Sequence, residues 1–167
     1  MSWARAAYRS RQFFGALRAR LEEGERAEVV AHLTPAEQRL FYAMDLRDQR
    51  HALDVFRVLK SGGQRDAALL AAALLHDVGK GPIRLWQRVA FVLLRAVSPR
   101  LLRRLASANG GGWRGALGRS LDHAERGAAL AEAAGSTPET VRLIRLHRSP
   151  AGDDVALSLL QAADEAS

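Results

Sequence analysis

The chain has 167 residues, a length that suits one domain with a real hydrophobic core. Apolar residues make up 48% and charged residues 26%, and there is no cysteine, which excludes disulfides and thiolate metal sites. The net charge of +7, almost all of it Arg spread along every segment, suits anionic lipid, nucleic acid or phosphorylated small molecules; no nucleic-acid-binding motif accompanies it, so nucleic acid is not an expected partner.

Strong helix formers dominate and alternating strand patterns are missing, so an all-α fold is predicted. A first helix is expected over Trp3–Leu21, with Tyr8, Phe13, Phe14, Leu17 and Leu21 as its apolar positions. Arg interrupts Met1–Arg20 too often for the apolar run of a signal peptide, and a cytoplasmic protein is expected. Thr34-Pro35-Ala36-Glu37 is a capping box with Pro at the first helical position, and it starts a short helix. Asp45 is placed to cap the next one, which carries His51, Leu53, Phe56 and Leu59 and ends near Gly62-Gly63. Ala67–Leu75 is apolar on all sides, the mark of a central buried helix. It runs into His76-Asp77-Val78-Gly79-Lys80, where Gly79, Gly81 and Pro82 break it. Ile83–Leu105 is apolar and Arg-rich, with a break at Ser98-Pro99. Asn109-Gly110-Gly111-Gly112 reads as a loop and Arg119–Ala134 as a helix stopped by Gly135. Ser136-Thr137-Pro138-Glu139 starts a helix through His147, and the last helix runs from about Asp153 to the end.

The polar residues that can hold a metal fall in telling places. His76 and Asp77 close the most apolar helix of the chain. His51, His123, His147 and Asp164 each project from a helix that must bury one face. A buried ionisable group has to be paired, neutralised or bound to a cation, and groups converging from several helices are how bundles build metal sites. Imidazoles and carboxylates suit Fe, Mn, Zn, Co or Ni, and such a mixed set selects none of them sharply; a carboxylate such as Asp77 can bridge two cations, and two ions are expected, Fe or Mn first, with Mg also possible. Four of the five histidines take part; His32, just before the Thr34 cap, reads as structural or solvated.

The order His51, His76-Asp77, His123, His147, Asp164 resembles the HD-domain superfamily in its six-ligand, two-metal form. "RHALDVFRVL", "AALLHDVGK", "DHAERGAALAEAAG", "LIRLHRSP" and "LLQAADEAS" are similar to the successive family segments, and especially to those of the YqeK-like branch, whose members hydrolyse diadenosine tetraphosphate symmetrically. The resemblance covers residues 45–167 and implies a single HD-like helical bundle there; residues 1–44 fall outside it and are expected to form an N-terminal helical extension packed on that domain. It implies a basic metal site of His51, His76, Asp77 and Asp164, a second metal completed by His123 and His147, and Asp77 as the bridge. Asp77 and Lys80 would be the catalytic residues. Lys80 is placed to meet a substrate phosphate, or else simply closes its helix terminus. Arg126 and Arg148 would neutralise phosphate, or else are solvated charges.

The implied activity is hydrolysis of a phosphoester or phosphoanhydride bond in a nucleotide or other small phosphorylated molecule. A non-catalytic nucleotide-binding or signalling module and a di-iron oxygenase of the same fold are the alternatives. Ile83–Leu105 is read as core or lid, with peripheral contact to anionic membrane as its alternative. Oligomeric state is not legible.

Overall fold

A computed structural model describes residues 21–167 apart from 82, 84 and 108–110, and of 85 the backbone only. Among the described residues there are helices and no strands: α1 (Glu23–His32), α2 (Pro35–Tyr42), α3 (Leu46–Ser61), α4 (Ala67–Leu75), a 3-10 turn η1 (Val78–Lys80), α5 (Leu85–Val97), α6 (Pro99–Leu105), α7 (Gly112–Ala133), α8 (Pro138–Leu146) and α9 (Val155–Ala166). The fold is all-α, as its helix-rich, strand-poor sequence dictates.

The bundle is organised around α4. Every residue from Leu69 to Leu75 is buried, so no face of this helix is left for water. Helices α1, α2, α3, α8 and α9 all pack on it. Asp66 starts it by accepting the Leu69 N–H at 2.8 Å, and His76 caps its end. Each buried leucine here contributes about 1.5–3 kcal/mol of apolar burial. The core also takes in Leu21, Val29, Leu33, Phe41 and Met44, so the described part of the N-terminal region shares the hydrophobic centre of the rest.

The expected elements meet the observed ones in most places. Gly62 closes α3, α5 and α6 part at Ser98, and Thr137 and Asp154 cap α8 and α9 through their side chains. The helix expected over Trp3–Leu21 lies outside the described residues, except for Leu21, which is buried. Two expectations are corrected, and one element is new. Helix α1 was not anticipated; its start is closed by Glu25, whose carboxylate accepts the Glu22 N–H at 2.9 Å. Asp45 stands at the N-cap of α3 but its side chain does not cap it, accepting instead from the Ile83 N–H at 3.3 Å. Helix α7 begins at Gly112, not Arg119, because Gly115, Ala116, Leu117 and Gly118 are buried and extend its packed face. His123 therefore lies in the middle of that helix and does not open it.

Candidate metal centre

Three imidazoles are aimed by the same local device. His76 at the end of α4 and His147 at the end of α8 each place Nδ1 on the carbonyl three residues earlier, Ala73 at 2.9 Å and Ile144 at 2.7 Å. Carbonyls at a helix C-terminus lack intrahelical partners, so the imidazole satisfies one while being oriented by it. His123, within α7, does the same with Ser120 O at 2.9 Å. A carbonyl only accepts, so Nδ1 carries the proton in all three, and each neutral ring turns a bare Nε2 lone pair inward.

Those lone pairs meet one another. His123 Nε2 and His147 Nε2 are 3.2 Å apart. His76 Nε2 is buried with no hydrogen-bond partner. It lies 3.6 Å from Asp77 Oδ2 and 3.6 Å from Asp164 Oδ1. Asp77 Oδ1 is 3.6 Å from His123 Nε2, and His51 Nε2 is 2.8 Å from Asp164 Oδ1. Ligand atoms of His51, His76 and Asp77 lie within 4.8 Å of one another, and so do those of Asp77, His123 and His147. Buried acceptors facing acceptors are unfavourable unless something positive stands between them. This donor set fits divalent cations: it is neutral imidazole plus carboxylate, with Asp77 common to both groups and the second ring nitrogen of three ligands already fixed by a carbonyl.

The electrostatics follow the same logic. Burial works against the Asp77 charge, but His76, Lys80 and His123 outweigh it and hold its carboxyl well below the usual range. Asp164 is lowered in the same way, against its burial, chiefly by the hydrogen bond with His51. That bond also raises His51 in spite of desolvation. Burial pushes His147 down to about 4 and lowers His123 as well.

All six expected ligands therefore converge. Lys80 bonds Asp77 Oδ2 and lines a cleft of about 610 Å³ beside the centre. Arg148 lines it too. Arg126 does not: it is exposed, and its Nε donates to the Gly79 carbonyl at 3.4 Å, bracing η1 on α7. His32 is structural, bonded to Glu28 O and set edge-on against Phe56. Sequence reading missed the rest of the cleft wall, notably Arg47, Arg88, Phe91, Arg95 and Ser120. It missed Gln161 as well, which donates to His147 O at 3.0 Å and fixes the chain just past that ligand. The Arg-rich run from Ile83 was the available signal for Arg88 and Arg95.

The family model described as HD domain matches residues 49–167. No curated protein and no solved structure matches the chain.

Proposed function

The chain belongs to the HD-domain family, and from that premise we propose that it is a metal-dependent phosphohydrolase acting on a nucleotide or other small phosphorylated molecule. The observation that carries this reading is the shared carboxylate: Asp77 belongs to both donor groups and bonds Lys80, which lines a cleft together with Arg47, Arg88, Arg95 and Arg148. Divalent cations bound there would supply Lewis acidity toward a phosphoryl oxygen and an acidified water.

The chain's own residues do the remainder. Asp77 and Asp164 bring negative charge, and burial keeps the His123 and His147 imidazoles from protonating. Lys80 sits between Asp77 and the cleft, so its ammonium can pass from the carboxylate to a substrate phosphate. Arg95 and Arg148 add charge for the rest of a polyanion, and Ile83, Phe91 and Val92 give the organic part of the substrate an apolar wall.

The test is to purify the protein, assay its metals, and screen nucleotides with the wild type and Asp77→Ala. The narrower resemblance to the YqeK-like branch makes diadenosine tetraphosphate the first substrate to try. Metal in the wild type, and hydrolysis lost in the variant, are expected. A wild type that takes up no Fe or Mn and hydrolyses no faster than Asp77→Ala would end this reading. Tight nucleotide binding without turnover would point to a binding module, and oxygen uptake by the Fe-loaded protein to oxidative chemistry.

A further inference from the structure

Between Asp77 and Asp122 there is no acidic side chain, while nine Lys and Arg residues fall there. That stretch supplies η1, α5, α6 and the start of α7. On α5, Trp86, Val89, Leu93 and Val97 recur at i, i+3, i+7 and i+11, which aligns them on one helix face. Among the described residues this face is left open: they are 53%, 50%, 58% and 84% exposed. Helix α6, packed against α5, adds an exposed Leu101 together with exposed Arg100, Arg103 and Arg104. The other side of α5 is used differently, for Arg88 bonds Asp48 and Phe91 and Arg95 line the cleft.

Three occupants suit an exposed apolar face ringed by cations. A second copy docked symmetrically would set the same arginines against each other, a like-charge penalty with no carboxylate in this stretch to relieve it. A nucleic acid would answer the arginines but leave Val89, Leu93 and Val97 against a polar backbone. An anionic lipid surface answers both, because phosphate headgroups meet the guanidinium groups while the apolar stripe sinks to the acyl boundary. Trp86 is the residue type that prefers that boundary. No helix among the described residues is long and apolar enough to cross a membrane, so such contact would lie in the interface plane.

We propose that the α5–α6 face docks this protein on an anionic membrane surface. The cleft is walled by the other side of α5, so docking keeps it near the membrane without burying it there. The inference rests on the charge and exposure of this face and holds whether or not the centre hydrolyses phosphate.

Cosedimentation of the full chain tests it, with vesicles of equimolar phosphatidylcholine and phosphatidylglycerol beside vesicles of phosphatidylcholine alone. Binding to the mixed vesicles, weakened by salt, and little binding to the neutral ones are expected. Leu93→Glu/Val97→Glu, which touches neither core nor cleft, lowers that binding roughly tenfold or more while circular dichroism and solution hydrolysis stay as in the wild type. Arg103→Gln lowers it roughly fivefold. Absence of binding to the mixed vesicles, equal binding to both kinds, or variants that bind like the wild type would overturn the proposal. So would a dimer in sedimentation velocity that Leu93→Glu/Val97→Glu abolishes, since the face would then belong to a second copy.

Discussion

Gly79 lies against the backbone of His123: a Cβ placed on Gly79 would stand 2.0 Å from the His123 carbonyl oxygen and 2.5 Å from the Gly127 nitrogen. Only hydrogen fits there, and that contact lets η1 nest on α7 so that Asp77, two residues before Gly79, comes within 3.6 Å of His123. Gly79→Ala must push η1 and α7 apart. A loss of about 1–3 kcal/mol or more is expected, together with a fall in bound metal at every concentration. Gly127→Ala is the milder partner, because its Cβ would meet Ile144 Cγ2 at 3.2 Å and the Gly79 nitrogen at 3.3 Å. Urea melts and metal titrations of both variants check this; equal effects from the two would remove the special role of Gly79.

The metal-free protein should weaken in acid through its buried imidazoles. His147 has its folded value pushed down to about 4 by burial, against roughly 6.5 when unfolded. Between those values the unfolded chain binds the extra proton, so stability is complete above about pH 6.5 and is lost as pH falls toward 4. The loss from His147 alone is on the order of 3 kcal/mol, and His123, also lowered by burial, adds in the same direction. His51 is raised instead, so its contribution changes only above about pH 6.5 and does not cancel the effect. Urea melts of chelator-treated protein between about pH 7 and pH 4.5 measure the slope, and His147→Gln should flatten it. Added metal should also bind more weakly across the same range, since its ligands must be neutral.

Arg88 ties helix α5 to α3, pairing with Asp48 and, at 3.5 Å, with Asp45 at the N-cap of α3. Arg88 Nη1 donates to Asp48 Oδ1 at 2.8 Å and Nη2 bonds Oδ2, with Asp48 itself buried. Removing the guanidinium strands a carboxylate away from water. Arg88→Met is therefore expected to cost about 3 kcal/mol, and the double variant Arg88→Met/Asp48→Leu less than the single one, because it strands nothing. A thermodynamic cycle on the four proteins gives the coupling. Additive effects would mean the two side chains do not depend on each other.

What the sequence made legible and what it hid divide along physical lines. Helix α4 was readable to its ends because its run is apolar throughout and stops at the His76-Asp77 pair, a local signal. The convergence of His51, His76, Asp77, His123, His147 and Asp164 was readable because stranded ionisable groups on packed helices need a shared partner. Helix α1 was hidden because Glu22 and Glu25 close its start, where Ser, Thr, Asp or Asn is the usual cue. Glu25 can be buried there only because Arg50 and Arg57 reach it from α3, a relation no local window contains. The start of α7 was hidden because a run of glycines reads as a loop, while buried packing of Gly115 and Gly118 makes it helix. The cleft wall joins Arg47 of α3 to Arg88 and Phe91 of α5, and only the folded bundle brings them together.

The division of labour among the cations near the centre is the last point open to measurement. Lys80 bonds Asp77 and faces the cleft, whereas Arg126 is turned to the Gly79 carbonyl outside it. Lys80→Met keeps the length of the side chain and removes its charge. Metal content should stay near the wild type, because Asp77 is still held down by His76 and His123. Turnover of the best phosphorylated substrate should fall on the order of a hundredfold, the usual scale for losing one group that steadies transition-state charge. Arg126→Ala should leave KM unchanged and cost about 1 kcal/mol or less, as expected for one hydrogen bond to an exposed side chain. Steady-state kinetics with metal analysis separates the two. If Arg126→Ala lowered turnover as far as Lys80→Met, substrate would have to reach the outer side of η1, and the cleft would not be the binding site.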